Sequence, residues 1–431
     1  MSESIKAGIN YINLASALLL TGVMYMWYPM QRIFVTLFAV TYLIEIFTDK
    51  KFKHVKVDKS IYLYVAMTVF FLLAFVYKPF EQTSNYFYPV LERRISLVAF
   101  AVICLLGVNK YYKLSYFLNI IVISAVLAIF YIIYRVGIGN FIHQPNRFEL
   151  FNETRIEHIG THMSFNLYMN MGIIGMWYML RNKWKSINTV VKILYFLAAV
   201  LFFIVLSKSD GRSGLFIGLI ILFGLILYEV FRLNKKLGVI AIVIVPLLFS
   251  FMIMNNRRME NTILYDDNPT QKESFEEKIR NVLAKEPRLF IWESAWNIYT
   301  QKPILGHGIS DGQSFFETEL LKNEDDEYRY YRETIKDRLL YTEPHSQFLQ
   351  TLLEFGIGGI ILLLFIYFYP LTLVDKNRKW MMILILILFL NQSIFDVFLT
   401  SQFSLIFGMT LMLMLKTTDD LHLNETSICG G

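Results

Sequence analysis

Apolar runs close to 20 residues long recur along the whole chain, at about 11–28, 31–48, 61–78, 95–109, 115–137, 162–180, 190–207, 214–231, 238–255, 351–370, 381–398 and 402–416. As a helix, a run of this length crosses a hydrocarbon layer about 30 Å thick. In lipid the backbone N–H and C=O groups must be bonded within the segment, so helices satisfy them where isolated strands do not. The fold class expected is therefore an all-α polytopic membrane protein with about twelve transmembrane helices. Composition agrees: 55% of the 431 residues are hydrophobic and 18% are charged, too little polar surface for a soluble domain of this length. The first run is long, lacks an A-x-A-type cleavage site and is followed by another, so no cleavable leader is expected. Cys104 and Cys429 stand alone, which gives neither a disulfide framework nor a metal knuckle.

Alternate short loops are basic. The stretch 49–59, "DKKFKHVKVDK", holds five lysines, and "NKYYK" (109–113), "RNKWK" (181–185), "RLNKK" (232–236) and "DKNRK" (375–379) hold eleven more Lys or Arg. The positive-inside rule puts these loops and both termini in the cytoplasm. The chain then divides into spans one to nine (1–255), an exterior loop with short helices (256–350), and spans ten to twelve with a cytoplasmic tail (351–431). Between Arg257 and Glu343 there are 13 Lys/Arg and 18 Asp/Glu, and long loops are exempt from the charge rule. Helix formers dominate "KESFEEKIRNVLAKE" (272–286) and 320–341, which predicts short helices lying over the membrane domain. The net charge of +6 comes from the inside loops, so no nucleic-acid partner is implied.

Three exterior stretches carry polar residues that an apolar context does not explain. "EPHSQFLQTLLEFGIGG" (343–359) opens span ten. Pro344 suits the first turn of a helix, and a helix continued from there puts His345, Leu349 and Leu352 on one face. A histidine at this depth suits proton transfer in a water-filled cavity, and Gly356, Gly358 and Gly359 would let helices pack closely. "SKSDGRSG" (207–214) places Arg212 at the membrane surface. "EPRLFIWESAWNIYTQKPILGHGIS" (286–310) puts Arg288 at the head of an amphipathic helix whose apolar side is Phe290, Trp292, Ala295, Trp296 and Ile298, stopping near Pro303. Two arginines and a histidine on one exterior cavity suit an anionic substrate, because guanidinium forks match phosphate oxygens.

Each of these residues also has a plainer role. Arg212 reads equally as an interfacial arginine, Arg288 as the partner of Glu286 or Glu293 in a surface ion pair, and His345 as a capping residue. His158 and His162 have i, i+4 spacing with no third ligand nearby, so no metal is expected. Glu45, Glu354 and Asp396 read either as proton-relay groups or as satisfied by polar neighbours. Arg93, Arg94 and Arg155 are weaker candidates for anion contacts.

About twelve spans, "S-x-S-x-x-R-S-G", "R-x-x-x-W-x-x-A…P-x-x-G-x-G" in the large loop and "P-H-S-x-x-L-x-x-L-x-E-x-G-x-x-G" at its end resemble the O-antigen ligase and O-antigen polymerase superfamily over 207–365. Asp210-Gly211 stands where that family usually has serine directly before the arginine. The resemblance implies a GT-C-like glycosyltransferase at the outer, periplasmic face of the bacterial inner membrane. Its donor would be a glycan on undecaprenyl diphosphate, with no nucleotide sugar, cofactor or metal. Arg212 and Arg288 would bind the donor diphosphate, and His345 would act as base on the acceptor hydroxyl. Ligation to lipid A–core is favoured because the "P-H-S-x-x-L" stretch resembles that branch best. Repeat-unit polymerisation and transfer to protein hydroxyls share the motifs. A transporter is disfavoured: no two-fold repeat is evident, and a long loop between spans nine and ten does not suit a six-plus-six layout.

Overall fold

A computed structural model describes residues 2–26, 28–55, 57–76, 84–143, 159, 161–208, 212–254, 287–322, 343–399 and 403–418. Every apolar run falls on a helix. The first half comprises α1 (Glu3–Val23), α2 (Tyr28–Asp49), α3 (Ile61–Val76), α4 (Ser84–Leu106), α5 (Leu114–Val136) and the short α6 (Ile138–His143). Then come α7 (His162–Lys183), α8 (Thr189–Lys208), α9 (Arg212–Leu233) and α10 (Lys235–Met254). The large loop contributes α11 (Pro287–Tyr299) and α12 (Ile309–Lys322), and the chain closes with α13 (Gln347–Phe368), the one-turn α14 (Pro370–Leu373), α15 (Lys376–Phe395) and α16 (Phe403–Lys416). Among the described residues there is no strand, only the isolated bridges Met26–Ile159 and Lys113–Thr418. The expected helices in 272–286 and 323–341 lie outside the described residues.

This is an all-α, multi-pass membrane protein. Among the described residues, six helical stretches are long and apolar enough to cross a bilayer: Pro29–Asp49, Leu114–Val136, Thr189–Ser207, Gly214–Leu233, Gln347–Leu373 and Lys376–Phe395. Two more, Ile61–Phe75 and Phe403–Lys416, are apolar but shorter. The expected apolar runs thus fall on helices, but of the about twelve spans expected, six are supported as spans among the described residues. The reason is visible in α7, which carries Ser164, Asn166, Tyr168 and Asn170, all buried. Its polarity is turned toward protein, so hydropathy underrates it. α16 is the opposite case, with all twelve residues from Phe403 to Met414 buried. A helix that is apolar all round and buried on every side belongs to the core of a bundle.

α7 touches α5, α8, α9 and α15, while α13 touches α3, α11, α12 and α15. α15 therefore joins the two hubs. The basic loops gather at one end of the bundle. There Lys51 Nζ donates to Gly107 O at 2.6 Å, and Tyr369 Oη donates to Lys59 O at 2.9 Å. Arg378 caps the carboxyl end of α16 with bonds to Met414 O at 2.9 Å and Thr417 O at 2.8 Å. The amino ends of α11, α13 and α16 lie at the other end. Beneath the basic loops, Glu45 pairs with Lys51 and accepts from Asn109 Nδ2 at 2.9 Å, so it is satisfied within the bundle.

Candidate active site

The site is organised around a break in α13. Gly356 has φ 62° and ψ −156°, which interrupts the helix and frees carbonyls on its amino-terminal side. The turn after α11 takes up these groups. His307 N donates to Leu353 O at 2.7 Å, Gly308 N to Glu354 O at 2.9 Å, and Ile357 N to Pro303 O at 2.9 Å. Both segments must come within backbone contact for this. A Cβ on Gly306 (φ 73°) would lie 2.6 Å from the Glu354 carbonyl carbon, and one on Gly356 would lie 2.4 Å from Ile304 O. The glycine-rich motifs thus serve as a clip between loop and helix, rather than as the helix-packing surface expected for Gly356. Gly356→Ala or Gly306→Ala is expected to cost at least about 1–3 kcal/mol through backbone strain, before the clash is counted. Thermal unfolding in detergent checks this. Gly358→Ala, whose Cβ would have no neighbour nearer than 4.0 Å, is expected to melt like wild type.

The clip also seats α11. His307 Nε2 lies 2.9 Å from Ile298 O, and Ile291, Ala295 and Ile298 pack on Phe316, Leu320 and Leu353. This corrects the apolar face expected for that helix. Ile291 joins Ala295 and Ile298 in the buried stripe at i, i+4, i+7, Trp292 packs half-buried against it as expected, and Trp296 is instead 51% exposed. The Phe290 side chain lies outside the described residues.

His345 is not helical, contrary to the expectation from Pro344. Its φ is 46°, the left-handed region, and α13 starts two residues later with Ser346 as its N-cap. The amino end of α13 is docked on the end of α15 instead. Gln347 N donates to Asp396 O at 2.9 Å, and Leu399 N donates to Gln347 Oε1 at 2.6 Å. A non-glycine residue in this conformation is retained only where its surroundings over-determine it.

Five ionisable groups meet around this segment. Arg288, in the first turn of α11, has its guanidinium carbon 5.6 Å from the Phe395 ring centre. It lies close enough to His345 and Asp396 to bias both. Burial lowers the His345 pKa and Arg288 lowers it further, which favours neutral imidazole. Burial raises the Asp396 carboxyl, against the Val397 N–H bond, Arg288 and Gln392. Burial pushes Glu343 up to about 7, opposed by Arg93 and reinforced by Asp396 and Glu354. Arg93 Nη1 is 3.9 Å from Glu343 Oε1.

Two sequence candidates have structural work here. Arg94 is fully buried and paired with Glu354, against the edge-to-face rings of Phe70 (5.5 Å) and Phe355 (5.3 Å). Gln350 Nε2 donates to Glu354 Oε1 at 2.6 Å. This corrects Arg94 as an anion contact, and Glu354 takes the satisfied reading rather than the relay one.

Arg212 heads α9, with its side chain outside the described residues. Two residues on, Gly214 O accepts from Asn170 Nδ2 at 3.2 Å. A cavity of about 10 Å³ lined by Asn166, Asn170, Gly214 and Gln392 separates this turn from the end of α15. Gln392 Nε2 in turn donates to Asp396 Oδ2 at 3.5 Å. Arg155, His158 and the His162 side chain lie outside the described residues.

Beside His345 opens a groove of about 390 Å³ between α11, α13 and the end of α15, lined by Trp292, Trp296, Phe348, Leu349 and Ile394, with Glu293 and Ser346 at its edge. One structure therefore puts a cation, an imidazole and a carboxylate next to an apolar channel.

Residues 195–364, which hold Arg212, Arg288, the clip and His345, match the family model described as O-antigen ligase. The match supports the O-antigen ligase and polymerase superfamily. A protein of Haemophilus influenzae (strain ATCC 51907 / DSM 11121 / KW20 / Rd), described as an uncharacterized protein, is 27% identical over 208 residues. That alignment covers 48% of each chain, so the present chain spans about half the length of the relative it matches. The O-antigen ligase match ends before Asp396, the residue whose role sequence reasoning left open. Its signal was a carboxylate closing the apolar run of α15, which marks a polar environment without naming a partner.

Proposed function

We propose that this chain is an O-antigen ligase-like glycosyltransferase. It moves a glycan from undecaprenyl diphosphate to a lipid A–core hydroxyl at the periplasmic face of the inner membrane. The observation that carries the reading is the convergence of Arg288 and His345 beside an apolar groove. A lipid-linked donor needs both surroundings at once: a polar pocket for its diphosphate and an apolar channel for its polyprenyl chain. The groove under Trp292 and Trp296 suits the chain, and Arg288, with Arg212 from the head of α9, suits the phosphates. The twelve helices would all span in a GT-C-like arrangement, the basic loops facing the cytoplasm, with 1–255 and 351–431 flanking the exterior segment 256–350.

In the proposed step the acceptor hydroxyl oxygen forms a bond to the anomeric carbon, and its proton passes to the neutral nitrogen of His345. The bond from that carbon to the phosphate oxygen breaks, and its electron pair leaves on the diphosphate. Preorganised guanidinium groups stabilise that growing charge in a site of low dielectric constant. A single displacement inverts the anomeric centre and calls on no metal.

The test uses cells lacking their own ligase, given this chain as wild type, Arg288→Ala or His345→Ala at matched membrane levels. Expected are a restored lipid A–core-linked ladder with wild type, and loss of it with accumulated undecaprenyl-linked glycan in both variants. Chain lengthening in a polymerase-deficient strain, with no ladder in the ligase-deficient one, would move the reading to polymerase. Glycan appearing on protein would move it to an O-oligosaccharyltransferase, and wild-type behaviour of both variants would refute the site.

A further inference from the structure

We propose that Arg93 and Glu343 form a positioning pair, which holds the Glu343-Pro344-His345 segment against α4 and so keeps His345 in its left-handed conformation. The inference rests on the functional reading above, because it gives the pair a purpose in placing the base.

Arg93 projects from a firmly anchored point. Its carbonyl accepts from Ser404 Oγ of α16 at 2.7 Å, and Ser96 Oγ donates to Ser404 Oγ at 2.7 Å. The next residue, Arg94, is locked to α13 through Glu354. Arg93 itself is not needed for that lock: its side chain is 39% exposed and lies 3.9 Å from Glu343, two residues before His345. On the other side of His345, Ser346 and Gln347 are tied to α15 through Ser393 O at 3.5 Å and Asp396 O at 2.9 Å. His345 thus sits between two anchors, one on α15 and one on α4. An L-residue at φ 46° relaxes if either anchor is released.

The groups acting on Glu343 are Arg93 and Arg94 from α4, Glu354 from α13, and Asp396 after α15. Two acidic neighbours oppose its ionisation and two arginines favour it. Arg93 is the one not already paired with Glu354. Tandem Arg93-Arg94 then has two jobs: one arginine fixes the helix, the next fixes the loop that carries the imidazole.

The experiment uses membranes of the complemented strain, which hold their own donor and acceptor, assayed at pH 8, where a carboxyl titrating at about 7 is mostly ionised. Arg93→Gln and Glu343→Gln are each expected to slow transfer about tenfold, since a displacement of 1 Å in a reacting group costs up to about a hundredfold. The exchange Arg93→Glu with Glu343→Arg is expected to return the rate to within about threefold of wild type, the coupling that contacting residues show. Arg93→Lys, which keeps the charge, should retain most of the rate. Glu92→Gln, which breaks the exposed pair with Arg32, should match wild type. The proposal is overturned if both single variants transfer at the wild-type rate. It is also overturned if the exchanged pair stays as slow as the singles at wild-type membrane level and melting temperature. His345→Ala runs alongside: if it stays active, the functional reading fails, whereas an inactive His345→Ala beside fully active Arg93 and Glu343 variants removes only the positioning pair.

Discussion

Arg94→Ala is expected to lower stability by about 3–5 kcal/mol, because it strands the Glu354 carboxylate without its countercharge. Both partners are fully buried, so no solvent screens the loss. Gln350 remains as a donor to Glu354, and the face-on contacts with Phe70 and Phe355 disappear with the guanidinium. Glu354→Ala should be comparably costly, leaving a buried cation without its countercharge. The double variant Arg94→Met with Glu354→Leu is expected to be much less destabilised than either single variant, since replacing a whole buried pair by apolar groups is often near neutral. Thermal unfolding of the purified protein in one detergent measures all three. If the double variant loses as much as the two singles added together, the pair is not an isolated electrostatic unit.

His345→Ala is expected to reduce transfer by about 10²–10⁴-fold, the usual range for removing a general base. Arg288→Ala is expected to cost about 10²–10³-fold, as for one preorganised donor facing developing negative charge. Their pH profiles should differ in a defined way. A base must be neutral to accept a proton, and burial with Arg288 lowers the pKa of His345. Full loss of activity on the acid side should therefore fall below the ordinary imidazole value of about 6.5. Removing Arg288 takes away the second cause and leaves burial, so the residual activity of Arg288→Ala should be lost at higher pH than in wild type. A separate, shallower step near 7 should come from protonation of Glu343. It should vanish in Glu343→Gln while the lower step remains. A single acid limb unmoved by Arg288→Ala would remove His345 as the titrating base.

Much of the architecture was legible because lipid imposes a one-dimensional rule on sequence. Runs near 20 apolar residues predicted the helices, and the alternating basic loops predicted which ends would gather together. The same rule understated α7, where Asn166 and Asn170 face protein rather than lipid. It also could not separate the buried Glu354 from the end-of-helix Asp396, since both are carboxylates in apolar stretches. Arg288 and His345 were legible from their motifs, 57 positions apart, as chemistry without geometry.

What the sequence determined alone was the class of protein, the helix positions and the residue types suited to an anionic substrate. These depend on local composition and on spacing along the chain. Tertiary structure decided that Arg94 is a strut while Arg93 faces the His345 segment, and that the "P-x-x-G-x-G" and "E-x-G" glycines form one clip across the break at Gly356. It also decided that His345 stands outside its helix. Each of these depends on which carbonyl, carboxylate or ring arrives from elsewhere in the chain. Glu354 lies 260 residues from Arg94, and at that separation only packing brings the two together.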